Sequence, residues 1–175
     1  EATINTAVRL IAGLSGRARH RFSLHVLSDT REGGKAMVEE ATLSAAHRRH
    51  PDLVLHYCHR ANNKDYKSGD IRNWVTAHGQ EHDAMLILAA DSVMAPTSVL
   101  RMADMLAIEP GLGLIQTIPR VLPGQTLWQR LQSFASEVYG TNLGRGFALW
   151  AGFEGNFLGH NAMARTCAFA SCAGL

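Results

Sequence analysis

The stretch Met85-Leu86-Ile87-Leu88 is apolar at every position and runs into Ala89-Ala90-Asp91. A half-exposed strand alternates apolar with polar residues, so an apolar run without alternation belongs to a strand covered on both faces. Few architectures cover a strand twice, and the neighbouring segments narrow them. Phe22 to Leu27 is a short β-prone run stopping at Ser28-Asp29, Leu53 to Tyr57 follows Pro51, and Leu112 to Ile118 reads as a fourth strand. Helical patterns lie between and around them: Ile4, Val8 and Ile11; a segment near 34–47 with Val38, Ala41 and Ala45; Ile71, Trp74, Val75 and His78. Val99, Met102 and Leu106 follow Pro96, and Leu127, Leu131, Phe134, Ala135 and Val138 form the clearest apolar stripe. Strands alternating with helices predict an α/β fold, a mostly parallel sheet with helices on both faces.

Ligands of such sheets bind outside the carboxyl ends of the strands. Three polar features fall there: Ser28-Asp29, the loop holding Lys64 and Lys67, and Asp91. Lysines beside a carboxylate that can hold a hard cation suit a ligand with phosphate. Each feature also has a structural reading. Asp91 either holds Mg²⁺ or Mn²⁺ against a diphosphate or caps the helix that begins near Pro96. Lys67-Ser68-Gly69 either contacts phosphate, with Gly69 permitting close backbone approach, or is a solvated lysine before a serine N-cap. Ser28-Asp29 either hydrogen-bonds a base or makes an Asx-type turn. Farther on, Phe157 to Asn161 mixes glycine and polar groups as a sugar-binding surface does, and as a tight turn does. Trp150 and Phe153 are candidates for stacking on sugar rings or for the core. Glu154, an acid among apolar residues, is a candidate acceptor contact.

Bulk properties exclude several classes. With 175 residues and 46% hydrophobic composition the chain can bury one sizeable core. The net charge of +2 is dispersed, which leaves no nucleic-acid footprint. Arg17, Arg19, His20 and Arg21 read as a solvated loop. Cys58, Cys167 and Cys172 form no bridge framework and lack the paired spacing of a zinc motif, so a reducing compartment is expected. None of the nine histidines forms His-x-x-x-His on a helix with a nearby acid, and they read as surface or half-buried polar residues. No apolar stretch approaches the roughly 18–20 residues that span a bilayer. The chain runs from Glu1 to Leu175 without an initiator methionine or signal pattern and is expected to be a piece of something longer.

Taken together, Lys67-Ser68-Gly69 and the run Met85 to Met94 resemble the core of a family 2 glycosyltransferase. Gly113 to Gln116, Gln132 to Ala135, Val138-Tyr139-Gly140 and Gly159-His160-Asn161 narrow the likeness to bacterial inner-membrane members that build the glucose backbone of osmoregulated periplasmic glucans. The likeness extends over nearly the whole chain. It implies a GT-A, Rossmann-like fold incomplete at both ends, with residues 1–118 as the nucleotide-sugar half and 119–175 as the start of the acceptor half. It implies UDP-glucose as donor, Mg²⁺ or Mn²⁺ as cofactor, and inverting transfer to a growing β-glucan at the cytoplasmic face of the inner membrane. Flanking segments, not this chain, would reach the membrane. By position, Ser28, Asp29, Lys67, Gly69 and Asp91 would bind the donor, Asp91 also the metal, and Glu154, Phe157, Gly159, His160 and Asn161 the acceptor. Glu1 would be the remnant of a uracil-binding Asn-Glu pair.

Two departures stand out. Ala89 occupies the first aspartate of the family's Asp-x-Asp motif, and the general base and product-binding Arg-Trp segment would follow Leu175. The chain alone is therefore expected to bind donor without turning it over. The rivals are a non-catalytic UDP-sugar-binding or regulatory module, which Ala89 favours, a nucleotidyltransferase, for which no glycine-rich basic loop is present near the start, and a generic α/β interaction domain.

Overall fold

A computed structural model describes residues 2–14, 21–60, 62 and 64–172. Glu1 and the cluster Arg17, Arg19 and His20 lie outside them. The chain begins with α1 (Ala2–Leu14), whose Ile4, Val8, Ile11 and Leu14 recur at helical spacing and are all buried. Then come β1 (Ser23–Ser28), α2 (Gly33–Arg49), β2 (Val54–His59) and α3 (Tyr66–His78). After a short tight turn of helix, β3 (Ala84–Ile87), α4 (Pro96–Ile108) and β4 (Leu114–Gln116) follow. The remainder is α5 (Leu127–Ala135), a wide turn of helix over Ser136–Gly140, α6 (Thr141–Ala151), β5 (Ala162–Arg165) and α7 (Thr166–Cys172).

The α/β class stands, but the single mostly parallel sheet does not. β1 and β2 pair in parallel, whereas β3, β5 and β4 form a separate antiparallel sheet in that order. Two physical causes divide it. β5 returns from the far end of the chain and inserts between β3 and β4, opposite in direction to both. Its sequence, Ala-Met-Ala-Arg, has little intrinsic strand preference, and its place is fixed by packing: Ala162, Met163 and Ala164 are buried. Secondly, β1 and β3 face each other without pairing across a cleft of about 1150 Å³, lined by both strands and by α1 and α3.

Helices do cover both faces, as expected. α1 and α2 pack on one face of the parallel pair, against Leu24, Val26, Leu55 and Tyr57. α4 continues that layer, its Val99, Met102 and Leu106 buried against Leu14 and Met163. On the other side, Ile71, Trp74 and Val75 of α3 meet Met85, Ile87 and Ala164. Met85 and Ile87 thus face α3 while Ala84 and Leu86 face α4, as the unbroken apolar run requires. Each such aliphatic burial contributes about 1.5–3 kcal/mol. Among the described residues no helix is long and apolar enough to cross a membrane.

Candidate functional site

The end of β1 is built around Glu39, which reaches over from α2. Ser28 Oγ donates to Glu39 Oε2 at 2.6 Å, Tyr57 OH to the same oxygen at 2.9 Å and Thr30 Oγ1 to Oε1 at 2.9 Å. Burial works to raise the Glu39 carboxyl, yet these hydrogen bonds from Ser28, Thr30 and Tyr57 hold it below its usual range. Ser28 is buried and engaged within this network, so its hydroxyl is not presented to a ligand in this arrangement. Asp29 is half-buried, with no hydrogen bond or ion pair among the described residues, and is the member of the pair left free.

The lysine loop is shaped by Arg60. Its guanidinium donates to the carbonyls of Lys64 at 2.6 Å and Tyr66 at 2.9 Å, and its Nε lies 2.7 Å from Asp70 Oδ1. Asp65 and Tyr66 both take positive φ, 62° and 47°, a sparsely populated conformation that such a clamp can hold. Gly69 is buried beneath the loop, and a Cβ there would collide with the Lys64 carbonyl and the Arg60 guanidinium. Its glycine is required by that packing. Lys67 stays exposed and its Nζ donates to the carbonyl of Gly159, joining a candidate donor residue to the candidate acceptor segment 92 positions away.

That segment is itself held in place. Gln116, at the end of β4, donates to the Asn156 carbonyl at 2.7 Å and accepts from the Leu158 amide at 2.6 Å. Thr117 donates its amide and its hydroxyl to the Asn161 carbonyl, each at 3.1 Å. Gly159 adopts φ +98° and Asn161, a non-glycine, φ 51°. The Asn161 side-chain oxygen is buried with no hydrogen-bond partner. A strained backbone together with an unsatisfied acceptor is the combination expected where a ligand completes the structure. His160 is half-buried. Phe157 packs edge-on to Phe169 with centroids 6.4 Å apart, which makes it core. Glu154, in contrast, is exposed, as are Trp150 at 83% and Phe153 at 97%, so core packing of those two aromatics is excluded.

Asp91 follows β3 in a turn closed by a hydrogen bond from the Ser92 amide to the Ala89 carbonyl. It is exposed, without hydrogen bond or ion pair among the described residues. Nor does it cap α4, whose N-cap is Ala95 with no side-chain cap bond. Ala89, Ala90, Ser92 and Lys67 line the cleft between β1 and β3. Because residues 89–92 form a turn, strand alternation does not govern which way residues 89 and 91 face. As a metal site, Asp91 supplies one carboxylate and belongs to no cluster of three potential ligands among the described residues. A divalent cation fits it only where diphosphate oxygens complete the shell, a common arrangement for Mg²⁺.

Comparison with known proteins gives a consistent result. Over 161 residues, 92% of this chain, the sequence is 41% identical to the glucans biosynthesis glucosyltransferase H of Caulobacter vibrioides (strain NA1000 / CB15N). It is 41% identical to that of Rhodopseudomonas palustris (strain BisA53) over 89% of the chain, and 40% identical to that of Xylella fastidiosa (strain 9a5c) over 95%. The chain is a homologue of the glucans biosynthesis glucosyltransferases H. It covers 24%, 22% and 28% of those three proteins, about a quarter of the length of the curated relatives it matches. No family model and no solved structure matches it.

Glu39, Arg60 and Gln116 were not legible as site residues. Each acts on partners distant in sequence or on backbone carbonyls, so neither spacing nor residue type marks it.

Proposed function

We propose that this chain is the donor-binding part of a family 2, GT-A glycosyltransferase whose longer protein transfers glucose from UDP-glucose to a growing β-glucan with inversion. The observation that carries the reading is the bond from Lys67 Nζ to the Gly159 carbonyl, because it brings a cation suited to diphosphate against the segment suited to a sugar. Homology to proteins named for glucan glucosyl transfer supports the reaction class. In this reading Asp29 meets the nucleoside, Lys67 and Asp91 the diphosphate, and Glu154, His160 and Asn161 the acceptor. Asp91 would hold Mg²⁺ or Mn²⁺, which supplies charge stabilisation to the leaving diphosphate. Lys67 adds to that stabilisation, and the unsatisfied Asn161 oxygen orients an acceptor hydroxyl by accepting from it. Turnover, with a general base to deprotonate that hydroxyl, and an inner-membrane setting are proposed for the longer protein.

A second reading, a UDP-sugar-binding or regulatory module without catalysis, is favoured by Ala89, which stands on the cleft wall where the family's motif has its first aspartate. One titration addresses both. UDP affinity is measured with and without Mn²⁺ for this chain and for Ala89→Asp. The expected outcome is metal-dependent binding that the substitution strengthens by about 1–3 kcal/mol, the size of a charge-assisted contact. Metal-dependent binding to both forms together with absence of glucosyl transfer by the longer Ala89→Asp protein supports the module. No UDP binding in either form removes both readings.

A further inference from the structure

Beneath the parallel pair, on the side facing α3, lies a cluster that the donor and acceptor assignments leave unused. The His25 and His56 rings stack at 4.5 Å, His78 and His82 lie 5.1 Å and 5.4 Å from His25, and the Trp74 ring stands edge-on at 5.4 Å. Cys58, on β2, belongs to the same cluster: the potential ligand atoms of His25, Cys58 and His78 all lie within 4.8 Å of one another. All three residues are half-buried.

We infer that His25, Cys58 and His78 form a binding site for a zinc-class divalent cation, which ties the end of α3 to the β1–β2 pair. The His25 ring carries the strongest argument. Its Nε2 lies 3.2 Å from Ser23 Oγ, whereas its Nδ1 is buried and has no hydrogen-bond partner. With the ring proton on Nε2 and donated to Ser23, the Nδ1 lone pair is left without a hydrogen-bond partner. That is how a ligating histidine is prepared, one nitrogen fixed by a neighbour and the other free for the metal. A cation bound there displaces the Cys58 thiol proton to solvent and leaves a thiolate on the metal, with the His25 and His78 rings beside it.

Two nitrogens and a sulfur select the metal. Such a set suits Zn²⁺ or Co²⁺ and is poor for Mg²⁺ and Mn²⁺, which prefer oxygen. The site is therefore chemically distinct from the carboxylate at Asp91. Three protein ligands leave the fourth tetrahedral position to water. No sequence motif marks the site because its ligands come from three separate elements, β1, β2 and α3.

Cobalt is the probe, applied to the full 175-residue chain with Cys167→Ser and Cys172→Ser, both exposed thiols, so that Cys58 is the one thiol left. The expected result is a thiolate-to-cobalt charge-transfer band that saturates at one equivalent and is abolished by Zn²⁺ but not Mg²⁺. Cys58→Ser removes the band, and His78→Gln weakens binding by at least about tenfold. Should Cys58→Ser fail to keep its far-ultraviolet circular dichroism, the decision passes to the parent form: Zn²⁺, not Mg²⁺, should slow modification of Cys58 by a thiol reagent. Absence of the band at one equivalent overturns the inference. So does a band that survives in folded Cys58→Ser, or a thiol that reacts equally fast with and without zinc.

Discussion

Ser28 and Asp29 are neighbours at the end of β1, and the fold gives them opposite tasks. Ser28 is committed to Glu39, while Asp29 is left without a partner among the described residues. The Glu39 carboxylate is held below its usual range by three hydroxyl donors, so its folded-state value lies under its unfolded one. Its stabilising effect is thus present above the unfolded value and is lost as pH falls through the folded one. Glu39→Gln should flatten the acid limb of a stability–pH curve measured by denaturant unfolding, and Glu39→Ala should cost about 1–3 kcal/mol at neutral pH by stranding Ser28 and Tyr57. An unchanged acid limb in Glu39→Gln would mean the network contributes nothing specific to the ionised form. Lys67 offers the converse case, exposed and dispensable for the core. Lys67→Ala should change stability by no more than about half a kcal/mol. Calorimetry should show UDP-glucose binding weakened roughly tenfold, the loss of one charge-assisted contact. Equal affinity would return Lys67 to the role of a loop lysine. At this scale the sequence marks residues by chemical type: Asp29 and Asp91 keep carboxylates without a partner among the described residues, and Lys67 is exposed with its Nζ on the Gly159 carbonyl. Ser28, Gly69 and Phe157 carried the same kind of signal, but their neighbours put them to structural use.

Among elements, the strands with unbroken or β-branched runs were found within a residue or two, and β5 was not. Its four residues become a strand because β3 and β4 leave room for one between them, a tertiary cause that no local pattern records. The turn leading into β5 holds Asn161 at φ 51° with its amide oxygen unsatisfied. Asn161→Gly removes both costs and should raise stability by about 1 kcal/mol. The same change should weaken acceptor binding in the longer protein, read as a higher KM for acceptor with donor affinity unchanged. If stability and KM both stay as they were, the strain has no function. The helical stripe over residues 127–138 was also read correctly as a helix but not as to what it covers. Leu127 at 84% and Phe134 at 62% remain exposed, because α5 and α6 run outside the three buried clusters. Periodicity reports that a helix has an apolar face, not whether the molecule supplies something to meet it.

At the scale of the whole molecule, the layer order of helix, sheet and helix was legible from the alternation of segments, while the break in the middle layer was not. Pairing between strands depends on backbone groups that sequence patterns do not label. β1 has β2 on one side and no strand on the other among the described residues, and β3 is paired only by β5. What spans the gap is α1, packed against both α2 and α4, with side chains of α3 below. The consequence is mechanical. Most small proteins fray from their rims inward, but this one has its weakest seam at the centre. Opening along that seam parts a unit of β1, α2 and β2 from a unit of β3, β4 and β5 while leaving each one's ladder intact. Native-state hydrogen exchange should resolve the two as separate cooperative units, with β5, bonded on both sides, the slowest to exchange and β1 well ahead of it. A single common opening free energy for all five strands would show that α1 alone makes the two halves unfold as one.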